Sequence, residues 1–374
     1  MRIGLVCPYN YFRPGGVQFC IRDLAAALQD RGHYVRIIAP RPRVVPKDLP
    51  SNVLLVGAST EVNTPFHTKA DVNMARDTQA IDELFAREKF DVLHVHEPGI
   101  PMLGVQLLGR STAKNVATMH ASLPEGMISK SFEKLMTPFA KYIEPRLDAV
   151  TAVSEVAKNI SLGYAPDLDI EVIPNAIRIA DFTRNIEQPK KTKTKTILYV
   201  GRLERRKGAQ YLIDAYAQLR NQYEDVRLVI AGDGKHRSRL EARVAKYDIP
   251  DVEFLGFISE QQKQKLMQTA TLYCSPAIYG ESFGIVLLEA MAANTVTIAG
   301  NNPGYRSVMT GRGRLSLVDP KDTESFCQRL ELLLYDEPVR ELWRQWAYDH
   351  VRQYDWNQVV KSYEKVYRRV LNQK

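Results

Sequence analysis

The stretch Gly280-Glu281-Ser282-Phe283-Gly284-Ile285-Val286-Leu287-Leu288-Glu289-Ala290-Met291-Ala292-Ala293 decides how this chain reads. The run before it, residues 270–276, is short and apolar, as a buried strand of a parallel sheet is. Apolar residues then recur at Ile285, Leu288 and Met291, a helical spacing. Strand, glycine-bracketed loop and helix make one α/β unit. Its loop directs backbone N–H groups and the positive end of a helix dipole into the space beyond the strand. Ser282 as an ordinary helix N-cap accounts for the hydroxyl. It does not account for two carboxylates eight positions apart, Glu281 in the loop and Glu289 two turns into the helix. Glu289 falls in an apolar stripe, where a carboxylate needs a partner.

The same alternation extends outward from this unit. Downstream lie a strand at 296–299 and terminal helices from about residue 322. Upstream, strands at 196–201, 226–231 and 252–255 alternate with helices at 209–222, 237–247 and 260–269. Before them, residues 186–196 are rich in Lys and Thr, contain Pro189 and show no periodicity, the composition of a linker. The first half opens with a strand at 3–8, then Tyr11-Phe12-Arg13-Pro14-Gly15-Gly16-Val17, a helix to about Arg31 stopped by Gly32, and a strand at 35–39. A strand at 53–56, a polar segment at 57–71 expected as a loop, and a helix at 76–88 follow. Strands at 91–97 and 115–120 end in His96-Glu97-Pro98 and in His120. Open α/β sheets place their ligands at such strand ends. A helix at 127–147 carries Phe132, Leu135, Met136, Phe139 and Tyr142 on its apolar side, with Lys130, Lys134, Lys141 and Arg146 elsewhere. Strands at 149–154 and 170–174 close this half. The chain is therefore expected to be α/β, with two Rossmann-like domains at 1–180 and 181–356 and no repeat visible between them. The last segment is an amphipathic helix whose Trp356, Val359, Tyr363 and Val366 form a face that packs on a neighbour.

A chain of 374 residues exceeds one ordinary core, and 25% charged with 45% hydrophobic residues is an average soluble composition. No apolar run reaches about 18 residues, so no transmembrane helix is expected. The N-terminus enters a strand at once, without the core of a signal peptide. Cys7, Cys20, Cys274 and Cys327 have neither disulfide nor metal-ligand spacing and are expected as buried thiols of a reducing cytoplasm. The net charge of +8, from 51 basic and 43 acidic residues, suits an anionic ligand or an anionic membrane surface. No recognition helix, aromatic-basic repeat or zinc finger points to nucleic acid.

The chemistry gathers at strand ends of the second half. One strand ends Gly201-Arg202-Leu203-Glu204-Arg205-Arg206-Lys207-Gly208, another Gly232-Asp233-Gly234, and a third feeds the Glu281 loop. Arg202 chelates phosphate oxygens in a fork and Lys207 adds a compact charge, a pair suited to a diphosphate. Gly232, Gly234 and Gly284 keep side chains clear of a ligand. Glu289 suits ribose hydroxyls and Glu281 sugar hydroxyls. A nucleotide-diphosphate-sugar carries all of these groups. Walker A, GxSxG and metal-cluster patterns are absent. Arg202, Lys207 and the helix dipole are enough to neutralise a leaving diphosphate without a metal.

As a set, these motifs resemble the family 4 retaining glycosyltransferases of GT-B fold. The resemblance runs through Pro14-Gly15-Gly16-Val17, His96-Glu97-Pro98, the His120 strand end, Val172-Ile173-Pro174-Asn175, the Arg202/Lys207 loop, Ala231-Gly232-Asp233-Gly234, Phe254-Leu255-Gly256 and the two-Glu motif. Val6-Cys7-Pro8-Tyr9 and Tyr354-Asp355-Trp356 are similar to the bacterial phosphatidylinositol mannosyltransferases. The resemblance implies two Rossmann-like domains facing each other across a cleft, with a C-terminal helix at about 357–374 crossing back to an acceptor-binding first domain. It implies donor diphosphate against the Pro14-Gly15-Gly16 loop, Arg202 and Lys207, and a base near Gly256, Phe257 and Ile258. Ribose would sit on Glu289 and the sugar on Glu281 with the Phe283-Gly284 backbone, and Ser282, Ile285 and Val286 would also line the donor. His120 would lie near the donor sugar and the acceptor. Transfer would proceed by same-face attack of the acceptor hydroxyl with retention.

The expected activity is transfer of mannose from GDP-mannose to a hydroxyl of a lipid or glycan acceptor, by a cytoplasmic protein peripheral to the inner membrane face. UDP-glucose or UDP-N-acetylglucosamine as donor is the alternative; a sugar-nucleotide epimerase and a non-catalytic nucleotide-sugar binder are further ones. No cofactor and no metal are expected. The mannosyltransferases meet anionic lipid through basic residues on a first-domain helix, whereas the corresponding residues 75–83 here hold one Arg and three acids. The 127–147 helix reads first as a core-facing helix with a solvated basic face; contact of that face with the membrane is the alternative, in which its basic residues substitute for the missing cluster.

Overall fold

The computed structural model describes residues 1–13, 15–63, 69–74, 78–98, 103–120, 130–183 and 193–373, with 58–63, 69–74 and 130–135 described by their backbone alone. Pro14, residues 75–77, residues 127–129 of the expected 127–147 helix and most of the expected linker at 186–196 lie outside them. Two compact units are present: residues 1–176 together with 356–374, and residues 177–355.

The first unit runs β1 (Arg2–Val6), α1 (Gly16–Asp30), β2 (Tyr34–Pro40), β3 (Val53–Val56), β4 (Ala58–Asn63), β5 (Lys69–Met74), α2 (Gln79–Glu88), β6 (Val92–His96), α3 (Leu103–Arg110), β7 (Lys114–Met119), α4 (Lys130–Ile143), β8 (Ala149–Ala152), α5 (Glu155–Tyr164) and β9 (Ile170–Val172). Seven of these strands form a parallel sheet in the order β3-β2-β1-β6-β7-β8-β9. β4 and β5 pair antiparallel, Thr60 opposite Val72. This corrects the loop expected at 57–71 over residues 58–63 and 69–71; residues 64–68 lie outside the described residues. A two-stranded ribbon satisfies its backbone through its own ladder and needs no apolar run to announce it.

The second unit runs α6 (Ile179–Thr183), β10 (Lys195–Val200), α7 (Ala209–Arg220), β11 (Val226–Ala231), α8 (Arg237–Lys246), β12 (Val252–Gly256), α9 (Glu260–Thr269), β13 (Leu272–Ser275), α10 (Ile285–Ala292), β14 (Val296–Gly300), α11 (Pro303–Val308), β15 (Leu317–Val318), α12 (Thr323–Tyr335) and α13 (Glu337–Val351). Its parallel sheet has the order β12-β11-β10-β13-β14-β15. The order reverses at β10, between β11 and β13, so the C-terminal ends of these strands flank a topological switch point. Strands such as Ile197-Leu198-Tyr199 and Leu228-Val229-Ile230 are buried on both faces, as helices on either side of a parallel sheet require.

The chain then returns to the first unit as α14 (Trp356–Asn372). Trp356, Val359, Val360, Tyr363, Val366, Tyr367 and Val370 sit in one core with Ile3, Leu5, Ile21 and Leu24 of β1 and α1. The neighbour that this apolar face requires is thus the first sheet's own layer. Glu364 on the same helix is 5% exposed and accepts both Arg31 Nε (2.6 Å) and Arg31 Nη2 (2.9 Å), with His33 Nε2 at 2.8 Å. The Arg31 hydrogen bonds hold its carboxyl down at about 2.

On α4, Ile143 is buried while Tyr142 is exposed beneath the Arg146 guanidinium, 3.8 Å from its ring centroid. Tyr142 therefore leaves the apolar side on which its spacing placed it: its hydroxyl and its cation partner both favour water. All four cysteines are buried and none is in a disulfide. Among the described residues no helix is long and apolar enough to cross a membrane.

Candidate active site

Each parallel sheet gathers its polar groups beyond the C-terminal ends of its strands. In the second unit β10 passes into a short 3-10 turn at Arg205–Lys207, and β13 passes into the Glu281 loop. Arg206 joins the two. Its Nη1 donates to Glu281 Oε1 at 2.9 Å and to the Gly280 carbonyl at 3.0 Å, and its Nε donates to Glu204 Oε2 at 2.9 Å. Burial works against the Arg206 charge, but the Glu281 and Glu204 carboxylates outweigh it and its pKa is raised. Lys207 Nζ lies 2.7 Å from the same Glu281 oxygen. Arg202 pairs with the other oxygen of Glu204 at 3.0 Å, and its side chain is 64% exposed. Three cations thus meet two carboxylates, a balance that leaves positive charge for a diphosphate.

The Glu281 loop is held from below as well. Asn302 donates to the Ala277 carbonyl at 2.9 Å, and Tyr305 Oη pairs with Ser275 Oγ at 2.8 Å. Phe283 is buried, edge-on to Tyr354 at 5.7 Å between centroids, so its backbone and not its ring is available to a ligand. α10 begins after Gly284, not after Ser282. The Ser282 cap is therefore not formed. Gly284 has φ +117, and a Cβ there would stand 2.8 Å from the Tyr305 ring. No side chain caps α10, so its first-turn N–H groups, near Ile285 and Val286, keep their donor capacity.

Glu289 has its partner: Lys263 on α9, whose Nζ lies 2.8 Å from Glu289 Oε1 and 2.8 Å from Glu260. Burial lowers the Lys263 pKa, but the Glu289 and Glu260 carboxylates more than restore it. Gly232, at the end of β11, has φ +137, and a Cβ would lie 1.9 Å from the Gly201 carbonyl oxygen. Its N–H donates to the Gly256 carbonyl at 2.7 Å, which ties the ends of β11 and β12 together. Beyond β12, Phe257 is 75% exposed and Ile258 half-buried.

In the first unit Gly15 precedes α1 with an extended backbone, and a Cβ on Gly16 would meet nothing within 4 Å. Pro14 lies outside the described residues. His120 follows β7 and is buried. Its backbone N–H donates to Glu97 Oε1 at 2.5 Å, and its Nε2 is 2.8 Å from His96 Nδ1. Glu97, just past β6, is buried with φ +49, a conformation uncommon outside glycine and asparagine. Such strain persists where surrounding contacts over-determine it, often at functional sites.

The structure thus brings Arg202, Lys207 and Glu281 to one sheet edge, sets Glu289 along the helix that follows, and puts Gly16 and His120 at the corresponding edge of the first sheet. Arg206 and Lys263 escaped the sequence reading as site residues; His96, Glu97 and His120 stood out at their strand ends, but the His96–His120 hydrogen bond and the contact of Glu97 with the His120 backbone did not. Arg206 belongs to a visible basic run, but only the 3-10 turn decides which of its members faces Glu281. Lys263 carries no local signal, since its partner lies on another helix.

Two family models match the chain: Glycosyltransferase Family 4 over residues 14–181 and Glycosyl transferases group 1 over residues 181–350. A phosphatidyl-myo-inositol mannosyltransferase of Mycolicibacterium smegmatis is 33% identical over 99% of this chain and 94% of its own length. An alpha-monoglucosyldiacylglycerol synthase of Streptococcus pneumoniae is 25% identical over 83% of this chain and 74% of its own. Among solved structures, a glycosyltransferase from Rickettsia africae superposes with a TM-score of 0.78 at 19% identity, covering 100% of this chain and 99% of that one.

Proposed function

Since the chain belongs to the family 4 glycosyltransferases, we propose that it moves mannose from GDP-mannose to a hydroxyl of a membrane lipid, with retention of configuration. The observation that carries the reading is the pairing of cations and carboxylates at the C-terminal edge of the second sheet. Arg202 and Lys207 take the diphosphate, and the first-turn amides of α10 add partial positive charge. Glu281, fixed by Arg206, presents its second carboxylate oxygen to sugar hydroxyls. Glu289 accepts from ribose hydroxyls, and Phe257 and Ile258 beyond β12 receive the base. The second unit is the donor-binding domain in this reading, and the first unit, with α14, the acceptor-binding domain. His120 and the Gly15-Gly16 turn lie at the strand-end edge of that first unit.

Charge on the leaving diphosphate is neutralised by side chains and helix amides, so the reaction is proposed to need neither metal nor cofactor. The leaving phosphate itself takes the proton of the attacking hydroxyl. Mannose as the sugar is supported by the full-length likeness to the mycobacterial mannosyltransferase. UDP-glucose is the second reading, supported by the likeness to the streptococcal glucosyldiacylglycerol synthase. The α2 helix does not offer a basic face: Asp82 is paired with Arg110. Peripheral contact with an anionic inner membrane face is therefore assigned to α4, where Lys141 and Tyr142 are exposed and the half-buried Arg146, just past the helix, covers the Tyr142 ring.

Incubation with a panel of sugar nucleotides, with and without anionic lipid vesicles, tests this. Release of GDP from GDP-mannose, accelerated by lipid, is expected. Release of UDP from UDP-glucose alone would move the assignment to the second reading. Isomerisation of a donor without loss of its nucleotide would overturn both.

A further inference from the structure

Under the β-strand ends of the first unit, three buried imidazoles lie one on another. His94 and His96 stack at 4.3 Å between centroids, and His96 and His120 follow at 5.1 Å. His94 sits at the head of a hydrogen-bond chain with one direction. Thr151 Oγ1 donates to the Ala117 carbonyl at 3.1 Å. With Thr151 so placed, Thr118 Oγ1 donates to Thr151 Oγ1, 2.7 Å away, and accepts from His94 Nε2 at 2.6 Å, with the Tyr363 hydroxyl also in its reach. His94 Nδ1 is left to accept the Tyr367 hydroxyl of α14 at 2.7 Å. Both nitrogens of the lowest ring have partners, which holds the ring in one orientation.

The upper two rings share one hydrogen bond, His96 Nδ1 to His120 Nε2 at 2.8 Å, and His96 Nε2 is buried with no partner among the described residues. Burial keeps all three rings neutral, His94 and His120 being held down at about 3 and His96 well below its ordinary value. Each therefore carries one proton. If His120 donated to His96, the proton of His96 would sit on Nε2, and an N–H donor would be buried without an acceptor. If His96 donates, the orphan is a bare nitrogen lone pair. Buried N–H groups without partners are the rarer and costlier defect.

We propose that His96 is a positioning residue that fixes His120 as the Nδ1–H tautomer, so that His120 offers the reaction site a hydrogen-bond donor and not a general base. A donor at this strand end suits the oxygens of a diphosphate or of a sugar. The role rests on the glycosyl-transfer reading, but the tautomer does not, and the two fail separately.

Long-range 1H–15N correlation spectra of the whole protein, with 15N-labelled histidine, read the tautomer directly. A pyrrole-type Nδ1 and a pyridine-type Nε2 are expected for His120; the reverse assignment overturns the proposal whatever the enzyme transfers. His96→Phe keeps a ring on the stack and removes the donor; turnover is expected to fall about 10- to 100-fold with donor KM within roughly twofold. His96→Asn places an amide N–H near the old Nδ1 and should recover turnover to within about fivefold of wild type, with the His120 spectrum of the wild type. Equal turnover in wild type and His96→Phe overturns the proposal, as does an Asn variant that folds and yet does no better than Phe. If His96→Phe does not fold, the spectra of wild type and His96→Asn still decide.

Discussion

Arg206 Nη1 lies 2.9 Å from Glu281 Oε1, and this ion pair locks the loop after β13 to the turn after β10. Arg206 is 20% exposed, whereas Arg202, four residues earlier, is 64% exposed, and its guanidinium pairs with Glu204 alone among the ion pairs of the described residues. The two arginines therefore have separable duties: Arg206 sets the geometry of Glu281, and Arg202 reaches the ligand. Arg206→Ala is expected to lose about 1–3 kcal/mol of stability, and about 100-fold in kcat/KM through misplacement of Glu281. Arg202→Ala should change stability by less than about 0.5 kcal/mol while costing about 100- to 1000-fold in rate. Urea unfolding alongside donor turnover checks both. Equal destabilisation by the two variants would contradict the division of duties.

Lys263 is the cation of the Glu289 carboxylate, and no donor atom needs to touch it. Lys263→Met keeps the length of the side chain and removes the charge. The expected outcome is a roughly tenfold weaker affinity for the nucleoside diphosphate, about 1.4 kcal/mol, with turnover of bound donor little changed. Titration calorimetry with the free diphosphate measures it; unchanged affinity would show that Glu289 does not depend on this partner.

Gly232→Ala forces a Cβ to within 1.9 Å of the Gly201 carbonyl at φ +137. No side-chain rotation relieves that contact, so a loss of about 2–4 kcal/mol is expected. A thermal melt within about 1 °C of wild type would mean that the ends of β10 and β11 separate more readily than the structure shows.

Acid should unfold the first unit in two overlapping steps, both of the same sign. His94 and His120 are held down at about 3, below the unfolded value of about 6.5. The stability they contribute is complete above about pH 6.5 and is lost as pH falls toward about 3. Glu364 is held at about 2, so its contribution is complete above about pH 4.3 and is lost as pH falls through 2. Urea midpoints at pH 8, 6 and 4 should fall with pH, steeply below 6. Glu364→Gln should lower the stability at pH 7 by about 1–3 kcal/mol and flatten only the part of the pH dependence below about pH 4.5. A midpoint independent of pH between 8 and 4 would contradict the buried neutral histidines.

The fold was legible wherever burial on both faces left an apolar run. The strand expected at 226–231 matches the bounds of β11 in this way; the helix expected at 260–269 also matches α9, although that helix is polar and buries only Met267. The β4–β5 ribbon was not legible, because its residues satisfy a backbone ladder without a core-facing pattern. At the candidate site, the spacing of Glu281 and Glu289 announced two carboxylates along one loop and helix, and the glycines announced the turns. Which guanidinium turns toward Glu281 is fixed by the 3-10 turn after β10, and the cation of Glu289 by the docking of α9 on α10. Both are tertiary facts with no local signature.

The central claim is that the sheet edge around Glu281 receives a nucleotide-sugar. Amide hydrogen exchange, with and without the donor that the sugar-nucleotide panel shows to be consumed, tests it most directly. Slowed exchange is predicted at residues 201–208, 232–234 and 280–289. Unchanged exchange across all three segments under saturating donor, or protection confined to other parts of the second unit, would contradict it.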